Sequence, residues 1–408
     1  MVQKIVYAGV HSNTSYEGAQ HNLEKLAEFE ISTSYIHKIT SRAAGEFDKK
    51  YYETSNLLED LPQPEQNKVE VASISVDGGR TQIREENSGP GVHNPRWIES
   101  KAGCLQILDS QESDTDPHPL LPIIFQDKKA VKNMVEGLKG NRNNKRNPEN
   151  LKKTDEIIHQ IEQVKKGEKS PYKPTIIKRY VLGDISDAGT FGHLLYRKMH
   201  QHNLHSASRK AYICDGDQKL WTTIYEENFR ADGWTPILDI VHAIEYIYEA
   251  AKVISDTENK CWRQYMEYAN FLWSGKALTI IRRLDKNIKQ LQNAKNSKSK
   301  YIQDKIEKLN TIRTYFKNNF TKMDYPEYRK KGLPISSCYV ESLVKQFNIR
   351  IKSSEKFWNR SAVKGVIKIK ASLLSDDDSC WDEFWDDRSQ QQAKSKMVYN
   401  RKKQLKAA

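Results

Sequence analysis

Three apolar runs, each short enough for a single strand, end on an aspartate: Val69–Asp77 (VEVASISVD), Lys210–Asp215 (KAYICD) and Trp234–Asp239 (WTPILD). No other feature limits the fold as much. Runs of this kind suit strands buried on both faces, in a sheet covered by helices above and below. In the first run Val69, Val71, Ile74 and Val76 carry the apolar character, and Gly78 and Gly79 are expected to end the strand and leave backbone open beside Asp77. The second run repeats the pattern in Asp215-Gly216-Asp217. A carboxylate at the lip of a buried strand is costly unless it meets a partner, and a bound cation is one such partner. Asp-Gly is also a hairpin signal, so each aspartate taken alone could mark only a turn.

The segments between these runs set the architecture. TQIRE from Thr81 and CLQIL from Cys104 read as two further strands in a meander, separated by a Gly/Pro loop over 88–95. IIKRYVLGD from Ile176 is strand-like, and TFGHLLYRKMHQH reads as a helix opening near Asp187 and Thr190. A helix over Leu220–Phe229 follows the second run. The third leads into VHAIEYIYEAAKVI, where Ile244, Ile247, Tyr248 and Ala251 share a face. After Pro334, Ser336 or Ser337 caps a helix that begins near Tyr339 and carries Glu341. Antiparallel strands followed by helix-connected parallel ones make an α/β protein with a mixed sheet flanked by helices. In such a sheet the Asp77 and Asp215 strands can lie side by side, and a helix crossing their ends could add Glu341.

Patterning also divides the chain. Residues 1–51 are helical: Ala19, Leu23, Leu26 and Ala27 line one helix, and Ile36, Ile39 and Ala43 line the next. That spacing fits a DNA-binding helix-turn-helix, and equally any packed helical pair. Residues 52–68, with Pro62 and Pro64, read as a linker. The core runs from 69 to 256, with a polar surface insertion at 138–172 whose helical middle carries Ile157, Ile158, Ile161 and Val164. Residues 257–331 read as a helical insertion, one helix packing through Trp262, Tyr265, Tyr268, Phe271 and Leu272. The core resumes over 332–386, with Trp381 and Trp385, and 387–408 form a basic, flexible tail.

Charge narrows the partner. The chain has 66 Lys and Arg against 53 Asp and Glu, a net +13, and residues 281–331 alone hold 15 basic and 5 acidic residues. This favours a polyanionic partner, nucleic acid before a membrane surface. No apolar run reaches membrane-spanning length, and Met1–Ala8 is too short and polar for a signal peptide. Five scattered cysteines without a Cys-x-x-Cys pair argue against zinc fingers and a disulfide framework, so an intracellular setting is expected.

Three carboxylates around one point suit Mg²⁺ or Mn²⁺, and two such ions serve phosphodiester cleavage by activating the attacking oxygen and stabilising the leaving one. Asp239 and His242, three residues apart, share a helical face; His242 could contact a phosphate, or Asp239 could simply cap the helix. For Glu341 the plain alternative is a surface ion pair with Lys345. His200, His202 and His205 read as a polar helix terminus before a metal site.

The phrases SVDGGRTQIRE, ICDGDQKLW, ILDIVHAIEYI, YRKKGLPISSCYVES and WDEFW, in that order within residues 16–386, resemble the ISKra family of insertion-sequence transposases, which has Mutator-like relatives. The resemblance implies a ribonuclease H-like fold and a DDE triad of Asp77, Asp215 and Glu341 holding two Mg²⁺ (or Mn²⁺) ions. Asp239 and His242 match the family-like Asp-x-x-His signature. The implied reaction is cleavage of DNA at element ends by water, then attack of the freed 3′-hydroxyl on target DNA. The implied partners are terminal inverted repeats and target DNA, met by a homo-oligomer on the DNA ends. The implied location is the cytoplasm of a prokaryote, at the nucleoid during action. Where the family has a Gly-Ser-Gly type turn before the glutamate, this chain has Ser336-Ser337-Cys338, a change expected to strain the turn or shift the Glu341 helix. The beginning is short for the family's end-recognition domain. Two rival functions follow: a domesticated relative that binds DNA without cutting it, and a ribonuclease H-like nuclease without strand transfer.

Overall fold

A computed structural model describes residues 1–11, 15–52, 61–66, 68–84, 96–142, 174–294, 296–351, 358–376 and 379–407. The three aspartate-ending runs are strands of one five-stranded sheet of order β3-β2-β1-β4-β5. Strands β1 (Val71–Ile83), β2 (Arg96–Asp109) and β3 (Thr175–Asp184) are antiparallel neighbours. Strands β4 (Arg209–Cys214) and β5 (Thr235–Leu238) run parallel to β1, so β1 and β4 do lie side by side. Residues Val71–Val76 are all buried, as a strand covered on both faces requires.

One expectation is corrected in this sheet. Gly78 and Gly79 do not end β1; they pair with Lys101 and Ser100, and the strand continues to Ile83. Thr81–Ile83, expected in a separate strand, is the far end of β1, opposite Trp97 and its neighbours in β2. Thirteen residues of β1 pair in register with β2, and that continuous ladder outweighs the weak strand preference of two glycines. The Gly/Pro stretch 88–95 and the helical middle 157–164 of the surface insertion lie outside the described residues.

The N-terminal segment holds three helices, α1 (Val2–His11), α2 (Tyr16–Ala27) and α3 (Thr33–Tyr52). The Ser15 hydroxyl accepts the Gly18 N–H to cap α2, and the Ser32 hydroxyl accepts the Tyr35 N–H at the start of α3. Ile5, Ala19, Leu23 and Ile36 make a small core among the three. Further along α3, Ala43, Ala44 and Phe47 enter a larger core shared with α11 (Cys338–Ile351), α12 (Arg360–Leu373) and α13 (Cys380–Ala407). The first 51 residues are therefore continuous with the body of the protein. Arg350, near the end of α11, is buried here: its Nε donates to the Gly9 carbonyl at 2.8 Å, and its guanidinium stacks over Tyr16 and Trp358.

A separate and more extensive core joins the sheet to α4 (Lys128–Arg142), α5 (Ala188–Gln201), α6 (Ile240–Ile254) and the 257–331 segment. Asp187 caps α5 as expected, accepting the Thr190 N–H at 2.9 Å. The described residues of the 257–331 segment are mostly helical: α7 (Glu258–Trp273), α8 (Ala277–Gln292), α9 (Lys300–Asn319) and α10 (Tyr325–Lys330). Tyr265, Tyr268 and Leu272 are the buried face of α7. The helix expected over Leu220–Phe229 begins as a π-helical segment, Leu220–Tyr225, and closes with a short α turn. At the other end, α13 runs to Ala407 across the residues read as a tail, with neither Gly nor Pro to stop it. No described helix is long and apolar enough to cross a membrane.

Candidate carboxylate site

Strand register assembles the site. Val76 in β1 is level with Cys214 in β4, and Cys214 with Leu238 in β5. The next residue along each of the three is an aspartate, so Asp215 and Asp239, just past the ends of β4 and β5, lie in a row with Asp77, inside β1 where its pairing with β4 stops. Helix α11 crosses this end of the sheet over β1 and β2 and presents Glu341 from its first turn.

Gly79 lies beneath α11 and close against β2. Side chains at 77 and 79 point to the same face of β1. A Cβ at Gly79 would lie 2.9 Å from Ser100 Oγ and 3.4 Å from Asn348 and Val344 of α11. The glycine thus makes room for the Ser100 hydroxyl of β2 where strand termination was expected, while α11 would be at ordinary contact distance. The turn before Glu341 also departs from expectation. Among the described residues only Glu28 and Asn203 are non-glycine residues with positive φ, so Ser336-Ser337-Cys338 enters α11 without a conformation that needs glycine.

Asp239 is the most heavily bonded group of the site. Oδ1 accepts the N–H groups of Val241 at 3.3 Å and Ser337 at 3.1 Å. Oδ2 accepts the His242 N–H at 3.4 Å and faces His242 Nδ1 at 2.6 Å. A carboxylate offers about four lone-pair sites, and all four are engaged. Asp239 thereby caps α6, fixes the imidazole, and ties the entry of α11 to the end of β5. The Ile240 N–H donates to the Ile335 carbonyl beside it at 3.1 Å.

The remaining carboxylates are less committed. Asp77 Oδ1 accepts the Gly78 N–H at 2.7 Å, and Asp215 Oδ1 accepts the Asp217 N–H at 2.9 Å. Glu341 is buried; its Oε1 accepts no hydrogen bond and lies 3.7 Å from His242 Nδ1. Asp239, His242 and Glu341 bring ligand atoms within 4.8 Å of one another, a buried group that could hold a metal ion.

Electrostatics reflect the crowding. Burial, reinforced by the charge of Asp215, pushes Asp77 up to about 7 against the pull of His242 and the Gly78 N–H. Burial likewise lifts Glu341 to about 8; Asp239 and Asp77 add to the shift, and His242 and Lys345 oppose it. His242 moves the other way from a simple buried imidazole. Desolvation would lower it, but Asp239, Glu341 and Asp215 carry it up to about 10, so it is an imidazolium at neutral pH. As a cation His242 cannot ligate a metal until it loses its proton. Asp77, Asp215 and Glu341 by contrast offer only hard oxygen donors, the type that Mg²⁺ and Mn²⁺ take.

All five residues singled out from sequence lie at this end of the sheet, but among the described residues only Asp239, His242 and Glu341 form a group with ligand atoms within 4.8 Å of one another; Asp77, Asp215 and Glu341 do not. Burial of Glu341 beside His242 is unlike the exposed pair with Lys345. The three histidines near the end of α5 are elsewhere: His200 and His205 stack on each other, while His202 pairs with Glu65 at 2.7 Å and stacks on Tyr180. Sequence reading missed Tyr315 of α9, whose ring covers Gly216 so closely that a Cβ there would lie 2.2 Å from it. That ring stacks on Tyr246 of α6 with centroids 3.7 Å apart. Also missed was the Trp221 indole, which donates to the Asp215 carbonyl at 2.9 Å. Glycine after Asp215 was the only local signal of such a cover.

No protein-family model matches this chain, and no curated protein matches it.

Proposed function

We propose that this protein is a DDE transposase acting on DNA, with Asp77, Asp215 and Glu341 as its triad and the five-stranded sheet as a ribonuclease H-like core. The observation that carries the reading is the shared register of Asp77 and Asp215 on neighbouring parallel strands, under the helix that bears Glu341. The order of phrases resembling ISKra transposases and the excess of basic residues support the same conclusion.

In this reading the triad holds two Mg²⁺ (or Mn²⁺) ions, which when bound activate the attacking oxygen and stabilise the leaving one. The chain's own groups do the rest. Asp239 is a positioning residue that locks β5, α6 and the entry of α11 together. His242, held as a cation by Asp239, contacts a backbone phosphate of the DNA. Helices α2 and α3 serve as the helix-turn-helix that recognises element ends, and the protein works as a homo-oligomer on them in the prokaryotic cytoplasm.

The test is incubation with Mg²⁺ and DNA carrying the terminal inverted repeats of its element. Cleaved and joined products, both lost in Asp77→Ala, are expected. Cleavage without joining would make the protein a nuclease, and binding without cleavage would make it a DNA-binding relic.

A further inference from the structure

The strongest feature outside the carboxylate row is the exposed side of α8. Its inner side buries Ile280, Leu284 and Ile288 against the rest of the protein. On the outer side Arg282, Lys286 and Lys289 recur at intervals of four and three residues and are all exposed. Such spacing places them in one stripe along about 10 Å of helix. Among the described residues none of the three is held in an ion pair. Asp285, which lies beside them, is already paired with Arg313 at 3.1 Å. With Asp285, Gln290 and Asn293 the stripe lines a shallow groove of about 610 Å³, in which the three cations outnumber the one carboxylate. Three free cations and two side-chain amides, with no apolar anchor between them, form a surface suited to a chain of phosphates and poorly suited to a protein core.

We infer that this face of α8 is a sequence-independent contact for the backbone of duplex DNA. The inference rests on the reading of the chain as a DNA-acting protein and extends it by naming a surface. Phosphates of one strand recur every 3.4 Å or so along the duplex axis, so a stripe this long meets about three of them. The stripe also bears on the site. Helix α9, paired with α8, reaches the Asp215 turn through Tyr315 on Gly216. DNA held along α8 is thus gripped by the same helical pair that packs on the carboxylate row.

The test measures binding by the full chain, without divalent cation, to two unrelated 30-base-pair duplexes across a salt series. Each neutralised phosphate contact contributes about 0.9 to the slope of log affinity against log salt. The triple variant Arg282→Gln, Lys286→Gln, Lys289→Gln should flatten that slope by about 2.7 on both duplexes. A control, Lys68→Gln, Lys129→Gln, Lys132→Gln, removes the same charge from exposed positions elsewhere and should leave the slope near wild type. An unchanged slope in the α8 variant overturns the inference. So does an equal loss in the control, which would mean bulk charge, or an affinity for RNA duplex that DNA cannot compete away. Strand cleavage by the wild type is scored separately with Mg²⁺. Cleavage with an unchanged slope sinks only the surface, and a slope that depends on the stripe without cleavage sinks only the catalytic reading.

Discussion

His242 Nδ1 stands 3.7 Å from Glu341 Oε1, a contact between the first turns of α6 and α11. The imidazolium is thereby shared between Asp239, which bonds it directly, and a glutamate far along the chain. It is the positive centre of an otherwise acidic neighbourhood.

Removing that centre should be expensive. His242→Ala leaves the ionised Asp239 buried without its cation, and breaking a buried ion pair from one side costs about 3–5 kcal/mol. Urea unfolding of the variant should register a loss of that order. A loss below about 1 kcal/mol would mean that His242 and Asp239 are not paired as an ion couple.

Stability should depend on pH with one sign. Asp77 rises from an ordinary 3.8 to about 7 on folding, and Glu341 from 4.5 to about 8. Between those values the folded protein keeps protons that the unfolded chain has released, so their contribution is complete below about pH 4 and fades as pH climbs through 7 and 8. His242, raised from 6.5 to about 10, adds stability that is full below pH 6.5 and is lost as pH passes 10. Without divalent cations the melting temperature should fall steadily from pH 5 to 9. In Asp77→Asn the part of this fall below pH 7 should flatten. A melting temperature that rises across the same range would contradict these shifts.

The cover on Gly216 gives a double-mutant test. In Gly216→Ala the new methyl meets the ring of Tyr315, which is pinned in turn by Tyr246, and such overpacking costs about 1–3 kcal/mol. Tyr315→Ala removes the obstacle at its own cost. In the double variant the two penalties should fall short of additivity by at least about 0.5 kcal/mol, as for residues in direct contact. Strict additivity in denaturant melts would show that the ring does not sit on the turn.

Much of the architecture was legible in the sequence because buried parallel strands advertise themselves as apolar runs and because carboxylates at their ends stand out. Asp77, Asp215 and Asp239 could be named one by one for that reason. Their common level could not, since register arises from pairing between strands distant in sequence. The glycines after Asp77 misled for a related cause. Local propensity says that Gly78 and Gly79 interrupt a strand, whereas the long ladder to β2 and the crowding of Ser100 against Gly79 are tertiary effects. Tyr315 was invisible for the same reason, since its role exists only once α9 folds back onto the Asp215 turn. Asp239 shows the opposite case. Its bonds are those of the plain reading, an aspartate that caps the helix and satisfies His242 at once.

Glu341 and Arg350 are two ends of a single rigid rod. The guanidinium end is socketed into the carbonyl of Gly9 and the rings of Tyr16 and Trp358, and the carboxylate end lies at the row of aspartates. A deletion of residues 1–32 therefore would not yield a trimmed catalytic body. It would leave a buried cation unsocketed at one end of α11 and loosen the aim of the glutamate at the other.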